Sequence, residues 1–210
     1  MKKLLFLIPT IMLFANNCNT LKECTDKANF YHFDKEDDKN AANYYKVACD
    51  KFSDYISCKS LSDIYKYSQN NRNEKLAGIY QNQTIKLVKE QCENNNASAC
   101  YDYANFSEVK YASTKNYKEL YKKAFNLYKK ECDNKNYSSC YFLANMYFNG
   151  TGTEIDENKA FEIYENACLN KDGKSCYEIA QNHKNKYLEN LRNSCQNSFE
   201  EACKELDNIK

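Results

Sequence analysis

The sequence predicts an all-α solenoid of stacked helix pairs with one disulfide per repeat, and three observations carry that reading. Cysteine pairs recur at a nearly fixed gap: Cys92 and Cys100, Cys132 and Cys140, Cys168 and Cys176, and Cys195 and Cys203 are eight apart, Cys49 and Cys58 nine, Cys18 and Cys24 six. The second cysteine of a pair opens a common pattern, read as CYFLANMY from Cys140, CYDYANF from Cys100, CTDKANFY from Cys24, CKSLSDIY from Cys58 and CYEIAQNH from Cys176. The first cysteine closes another, visible in FEIYENAC, FNLYKKEC, IKLVKEQC and NYYKVAC.

From the start of the chain, residues 1–17 have the layout of a secretory signal peptide: the basic Lys2 and Lys3, an apolar run from Leu4 to Phe14, then Ala15. The run is too short for a stable membrane span, which takes about twenty residues, and Pro9 interrupts it. Lipidation at Cys18 is the minor alternative, with Asn16 and Asn17 in place of the small residues such a site prefers. Residues 18–38 form a half repeat that caps the N-terminal end, and residues 39–210 form five stapled pairs, the last abbreviated as the C-terminal cap. No linker composition separates them, so one elongated domain is expected.

Within a pair, helix A carries bulky residues seven and four places before its cysteine: Ile85 and Val88, Phe125 and Tyr128, Phe161 and Tyr164. That spacing puts both on one helical face. Helix B carries a small residue four places after its cysteine, namely Ala28, Ser62, Ala104, Ala144 or Ala180, so that a neighbouring helix can approach closely. Cys132 to Cys168 and Cys140 to Cys176 each span thirty-six residues, the earlier intervals are forty and forty-three, and the last is twenty-seven. Helix pairs at such a period stack into a solenoid. The best turn signal is NGTGTEID, where Gly150 and Gly152 permit the turn and Asp156 caps the next helix.

Twelve cysteines and an export signal explain each other, because structural disulfides persist in the periplasm or outside the cell. Repeat symmetry pairs each cysteine with its near neighbour, and closing a loop of that size contributes roughly 2.5 kcal/mol in the chain-entropy account. Zinc competes for the same residues, but its ligands usually come as Cys-x2-4-Cys or include His, and the chain holds only His32 and His183. No metal or cofactor is expected. The formal charge of +1 falls to about −1 without Lys2 and Lys3, which gives no basic excess for nucleic acid. Many of the nineteen tyrosines fall in the buried register, about three quarters of them in packing roles.

The pattern Ala-Cys, seven residues, Cys, a small residue four further on, then Gly-x-Gly and Asp before Lys-Ala, resembles the Sel-like repeats of the Helicobacter cysteine-rich protein family. Asn166 to Cys176, Gly150 to Gly152, Asp156, Lys159 and Ala160 carry the match best. Glycines that the family places between the two cysteines are mostly Asn, Ser or Lys here, as in DNKNYSSC. The resemblance implies an α/α superhelix related to tetratricopeptide repeats, with helices A lining a concave face. It also implies two functions, protein contact and the β-lactam binding or hydrolysis for which the family is often named β-lactamase.

Serine β-lactam hydrolysis needs Ser-x-x-Lys together with Ser-Asp-Asn and Lys-Thr-Gly elements. Only SEVK, Ser107 to Lys110, matches the first, and neither other element occurs. Ser107 is otherwise read as a loop serine after helix B. Two separated histidines cannot build an open zinc site. The binding alternative rests on polar residues six and three places before each helix A cysteine: Asn43 and Lys46, Lys86 and Lys89, Asn126 and Lys129, Glu162 and Glu165. Such a stripe, basic early and acidic late, suits an extended peptide or protein ligand. A β-lactam mimics a peptidoglycan peptide, so one groove on a monomer would accept both.

Overall fold

The computed structural model describes residues 18–110, 117–197 and 200–209. The expected signal peptide, residues 1–17, lies outside them. Among the described residues the regular structure is helical throughout. The chain divides into two compact units, Met1–Glu90 and Gln91–Lys210.

The first unit begins with Cys18 bridged to Cys24, which ties the entry segment to α1, Leu21–Asn29. Thr20 caps α1 by accepting from the Glu23 amide at 3.1 Å. A π-helical turn, Phe30–Asp34, follows, and then α2, Asp38–Phe52, capped by Asp37. Helix α3, Tyr55–Tyr67, pairs with α2 through Cys49–Cys58, and α4 runs Glu74–Glu93. The core joins Ala28, Ala41, Ala42, Tyr45, Leu61, Ile64 and Tyr80 with the second bridge. Here the small residue of helix B acts as expected. Ala28 is fully buried against α2, and Ser62 allows α4 so close that its hydroxyl donates to the Ala77 carbonyl at 2.9 Å.

The second unit holds α5, Ala97–Lys110; α6, Tyr117–Asp133; α7, Tyr137–Asn149; α8, Glu157–Leu169; α9, Gly173–Gln196; and α10, Glu200–Asn208. Cys132–Cys140 joins α6 to α7, Cys168–Cys176 joins α8 to α9, and Cys195–Cys203 joins α9 to α10. Ala144 meets Ala160 and Tyr164 in a buried cluster between α7 and α8. Two features depart from the repeat reading. Helix B of the fourth pair and helix A of the fifth are one uninterrupted helix, α9, because no glycine or proline breaks the run from Lys174 to Gln196. Ala180 is exposed, since no following helix A of the usual kind stacks on that part of α9.

The loop after α7 folds back on α6. Gly150 ends α7 at φ +66°, and Gly152 at φ +73° lies so near α6 that a Cβ there would sit 2.5 Å from the Tyr121 carbonyl oxygen. Asp156 then caps α8 by accepting from the Lys159 amide at 2.9 Å.

Candidate functional site

The turns of the Cys92, Cys132 and Cys168 pairs are built from the same parts. The residue three places after the first cysteine adopts the left-handed conformation: Asn95 at φ 63°, Lys135 at φ 66° and Lys171 at φ 70°. Its amide bonds the carbonyl of that cysteine, and the next amide bonds the carbonyl one residue earlier, as in Lys135 to Cys132 and Asn136 to Glu131. This is a Schellman stop. The residue that ends it caps helix B at once: Asn96 accepts from Ala99, Asn136 from Ser139 and Asp172 from Ser175. The eight-residue cysteine gap is the length of that stop-and-cap turn. The Cys49 turn holds one more residue, with Ser53 at φ 53° and Asp54 capping α3, which accounts for its gap of nine.

All eight stripe residues are exposed on their helices. In the first unit these are Asn43 and Lys46 on α2 and Lys86 and Lys89 on α4; in the second, Asn126 and Lys129 on α6 and Glu162 and Glu165 on α8. The geometry changes their electrostatic meaning. Lys46 pairs with Asp50, Lys86 with Glu90 at 3.8 Å and Lys129 with Asp133 at 3.0 Å, each one helical turn along. The Asp50 hydrogen bond, with Tyr80 second, holds the Lys46 ammonium above the usual lysine range. Glu162 takes Lys159 at 2.8 Å. Half of the stripe, Lys46, Lys86, Lys129 and Glu162, is thus held in local ion pairs, and its net field is weaker than the lysines alone suggest.

Ser107 lies inside α5, not in a loop, and is only 9% exposed. The Lys110 side chain falls outside the described residues. Among the described residues no cluster of three or more His, Cys, Asp or Glu is placed to hold a metal, and no helix is long and apolar enough to cross a membrane. Of the described tyrosines, Tyr67, Tyr177 and Tyr187 are exposed and the rest are at least partly buried.

A cleft that the sequence reading passed over lies across α7, α8 and α9. Its volume is about 250 Å³ and its floor is Phe148, Phe161 and Tyr164. The walls are Asn145, Asn149, Glu178, Gln181, Asn182 and Asn185. Tyr164 is 3% exposed, yet its hydroxyl takes no hydrogen bond among the described residues. Burial first, and the Glu178 carboxylate second, push that phenol well above its usual range. The signal was present in the repeat register. Glu178 and Asn182 occupy the places that Phe142 and Met146 fill one repeat earlier, counted from the second cysteine.

The chain is similar to Sel1 repeat proteins. A Sel1 repeat protein from Oxalobacter formigenes shares 19% identity at a TM-score of 0.45, over 91% of this chain and 78% of that one. A protective antigen present in uropathogenic Escherichia coli strains, displaying an SLR fold, shares 18% at 0.43, and this chain, 90% of it aligned, spans only 41% of that protein. Helicobacter pylori cysteine rich protein B shares 25% at 0.35, over 68% of this chain and 94% of that one. No family model and no curated protein matches the chain.

Proposed function

We propose that this chain is an exported, disulfide-stapled binding module that holds an extended peptide or protein segment against the polar faces of its A helices. The observation that carries the reading is register: in each unit, successive A helices expose polar residues at the same two places before the cysteine while burying the opposite face. A surface repeated in this way suits a ligand that is itself extended. Six disulfides are consistent with a protein outside the cytoplasm. The periplasm or the extracellular space, a monomeric state, and a peptidoglycan-related peptide as ligand belong to this same proposal. No observation favours β-lactam hydrolysis, since Ser107 is shielded inside α5.

The test is selection of peptides from a displayed random library on the oxidised protein, followed by fluorescence anisotropy with the selected sequences. Reversing the acidic end with Glu162→Lys and Glu165→Lys is expected to weaken binding at least tenfold, as removal of charge-assisted contacts does. Affinity unchanged by the reversal, or no enrichment at all, would sink the proposal.

A further inference from the structure

The third and fourth helix pairs share a backbone plan but fill it differently. In the third, Phe142 stacks on Tyr128 with centroids 5.2 Å apart, and Met146 is 1% exposed. Phe142 thereby covers the Tyr128 ring, which is 4% exposed. In the fourth, Glu178 and Asn182 stand at the corresponding places, and the space over Tyr164 is the cleft of α7, α8 and α9. The Tyr164 side chain is buried, but its hydroxyl opens onto the cleft and takes no hydrogen bond among the described residues, so it is available to a ligand.

The walls carry one carboxylate among amides, and the α7 amides turn their oxygens outward. The Asn145 amide nitrogen donates to the Tyr141 carbonyl and the Asn149 amide nitrogen to the Asn145 carbonyl, both at 2.9 Å, which leaves their oxygens as the unpaired ends. Glu178 adds a carboxylate without an ion pair among the described residues, and Gln181, Asn182 and Asn185 add amides that can accept as well as donate. The floor adds aromatic surface, with Phe148 and Phe161 edge to face at 5.9 Å. A cation already visits this floor, since the exposed Lys186 ammonium lies 6.0 Å from the Phe161 ring centre.

Resting on the peptide-binding reading, we propose that this cleft receives the guanidinium of an arginine side chain carried by the bound segment. A guanidinium is flat enough to lie against an aromatic ring, carries five donors in a fixed fork, and pairs with a carboxylate through two of them. Glu178 takes that bidentate contact, the Asn145 and Asn149 oxygens take the outer donors, and the Tyr164 oxygen accepts another. An ammonium has three donors around one point and cannot satisfy acceptors spread over three helices. A sugar could use the amide groups of Gln181, Asn182 and Asn185 but has no charge to set against Glu178, and it is the competing occupant that the test separates.

The test is an NMR titration of the oxidised full chain with N-acetyl-arginine methylamide, its citrulline counterpart, a chito-oligosaccharide, and a peptide selected on the protein. The arginine probe is expected to shift resonances of α7, α8 and α9 and to bind at least tenfold more tightly than citrulline, which keeps the shape and loses the charge. Glu178→Gln, near-isosteric and checked for fold by circular dichroism, is expected to remove that preference. Equal binding of arginine and citrulline, shifts confined to other helices, or the oligosaccharide occupying the cleft would each overturn the assignment. If the selected peptide binds without the arginine probe binding, the cleft assignment fails and the peptide reading stands. If the probe binds and no peptide does, the cleft assignment holds and the peptide reading fails.

Discussion

The third pair, α6 with α7, and the fourth, α8 with α9, are two solutions to one problem. Both bury a tyrosine four places before the first cysteine, Tyr128 or Tyr164, and both turn through a left-handed lysine into an Asx cap. The third completes itself with apolar side chains and a hydrogen bond between Tyr128 and Ser98. The fourth leaves Tyr164 beside amides and a carboxylate. Repeats therefore separate scaffold from function cleanly: the turn and the bridge hold the backbone, and the positions two and six after the second cysteine are free to close a core or to open a site.

The largest effect follows from removing what the two pairs share. Reduction of all six bridges is expected to lower the melting temperature steeply, each eight-residue loop contributing roughly 2.5 kcal/mol. Cys132→Ser with Cys140→Ser, and Cys168→Ser with Cys176→Ser, should cost the same within error by denaturant titration. A large difference between the two double variants would show that side-chain filling, not the staple, holds one of them.

Next comes a contrast between glycines. Gly152→Ala forces a Cβ to 2.5 Å from the Tyr121 carbonyl at φ +73° and is expected to cost roughly 3 kcal/mol. Gly173→Ala, in the first turn of α9 with nothing within 4 Å, should be neutral or stabilise by up to about 1 kcal/mol. Equal effects would place the loop 150–154 away from α6.

How much of this was legible in the sequence divides along the same line. The cysteine period, the tyrosine four places before it and the small residue four places after it were visible because they repeat, and tight packing repeats with them. Asp156 was legible as a cap because its chemistry is local. Three things were harder. Ala180 looks like Ala144, but exposure depends on what stacks next, which no local pattern records. The stripe lysines looked like a basic surface until Asp50, Glu90 and Asp133 took them one turn on. Glu178 and Asn182 stand out only against Phe142 and Met146, because an opened core is a difference between repeats and not a motif within one.

A smaller effect separates the two tyrosines. Tyr128→Phe removes the Ser98 hydrogen bond and should cost about 1 kcal/mol, whereas Tyr164→Phe removes a hydroxyl without a partner and should cost close to nothing. Both phenols are raised above their usual range, by burial first. The folded protein thus keeps protons that the unfolded chain gives up near pH 10, so stability is intact below that pH and falls as pH rises above it. Either substitution should flatten that alkaline loss in melting curves. An unchanged alkaline slope in both would mean that neither phenol is held neutral by its surroundings.

The smallest effect concerns the turn itself. Lys135 and Lys171 adopt a left-handed conformation that costs a side-chain-bearing residue roughly 1–2 kcal/mol, and glycine escapes that cost while losing up to about 1 kcal/mol in chain entropy. Lys135→Gly and Lys171→Gly should each therefore raise stability by about 0.5 kcal/mol. Asn95→Gly should do less, because asparagine tolerates the region better than lysine. The ranking is sharper than any single value. A gain at Asn95 exceeding those at the two lysines would mean that the lysine stems repay their strain by packing, and would make the turn, not only the helices, part of what distinguishes one pair from the next.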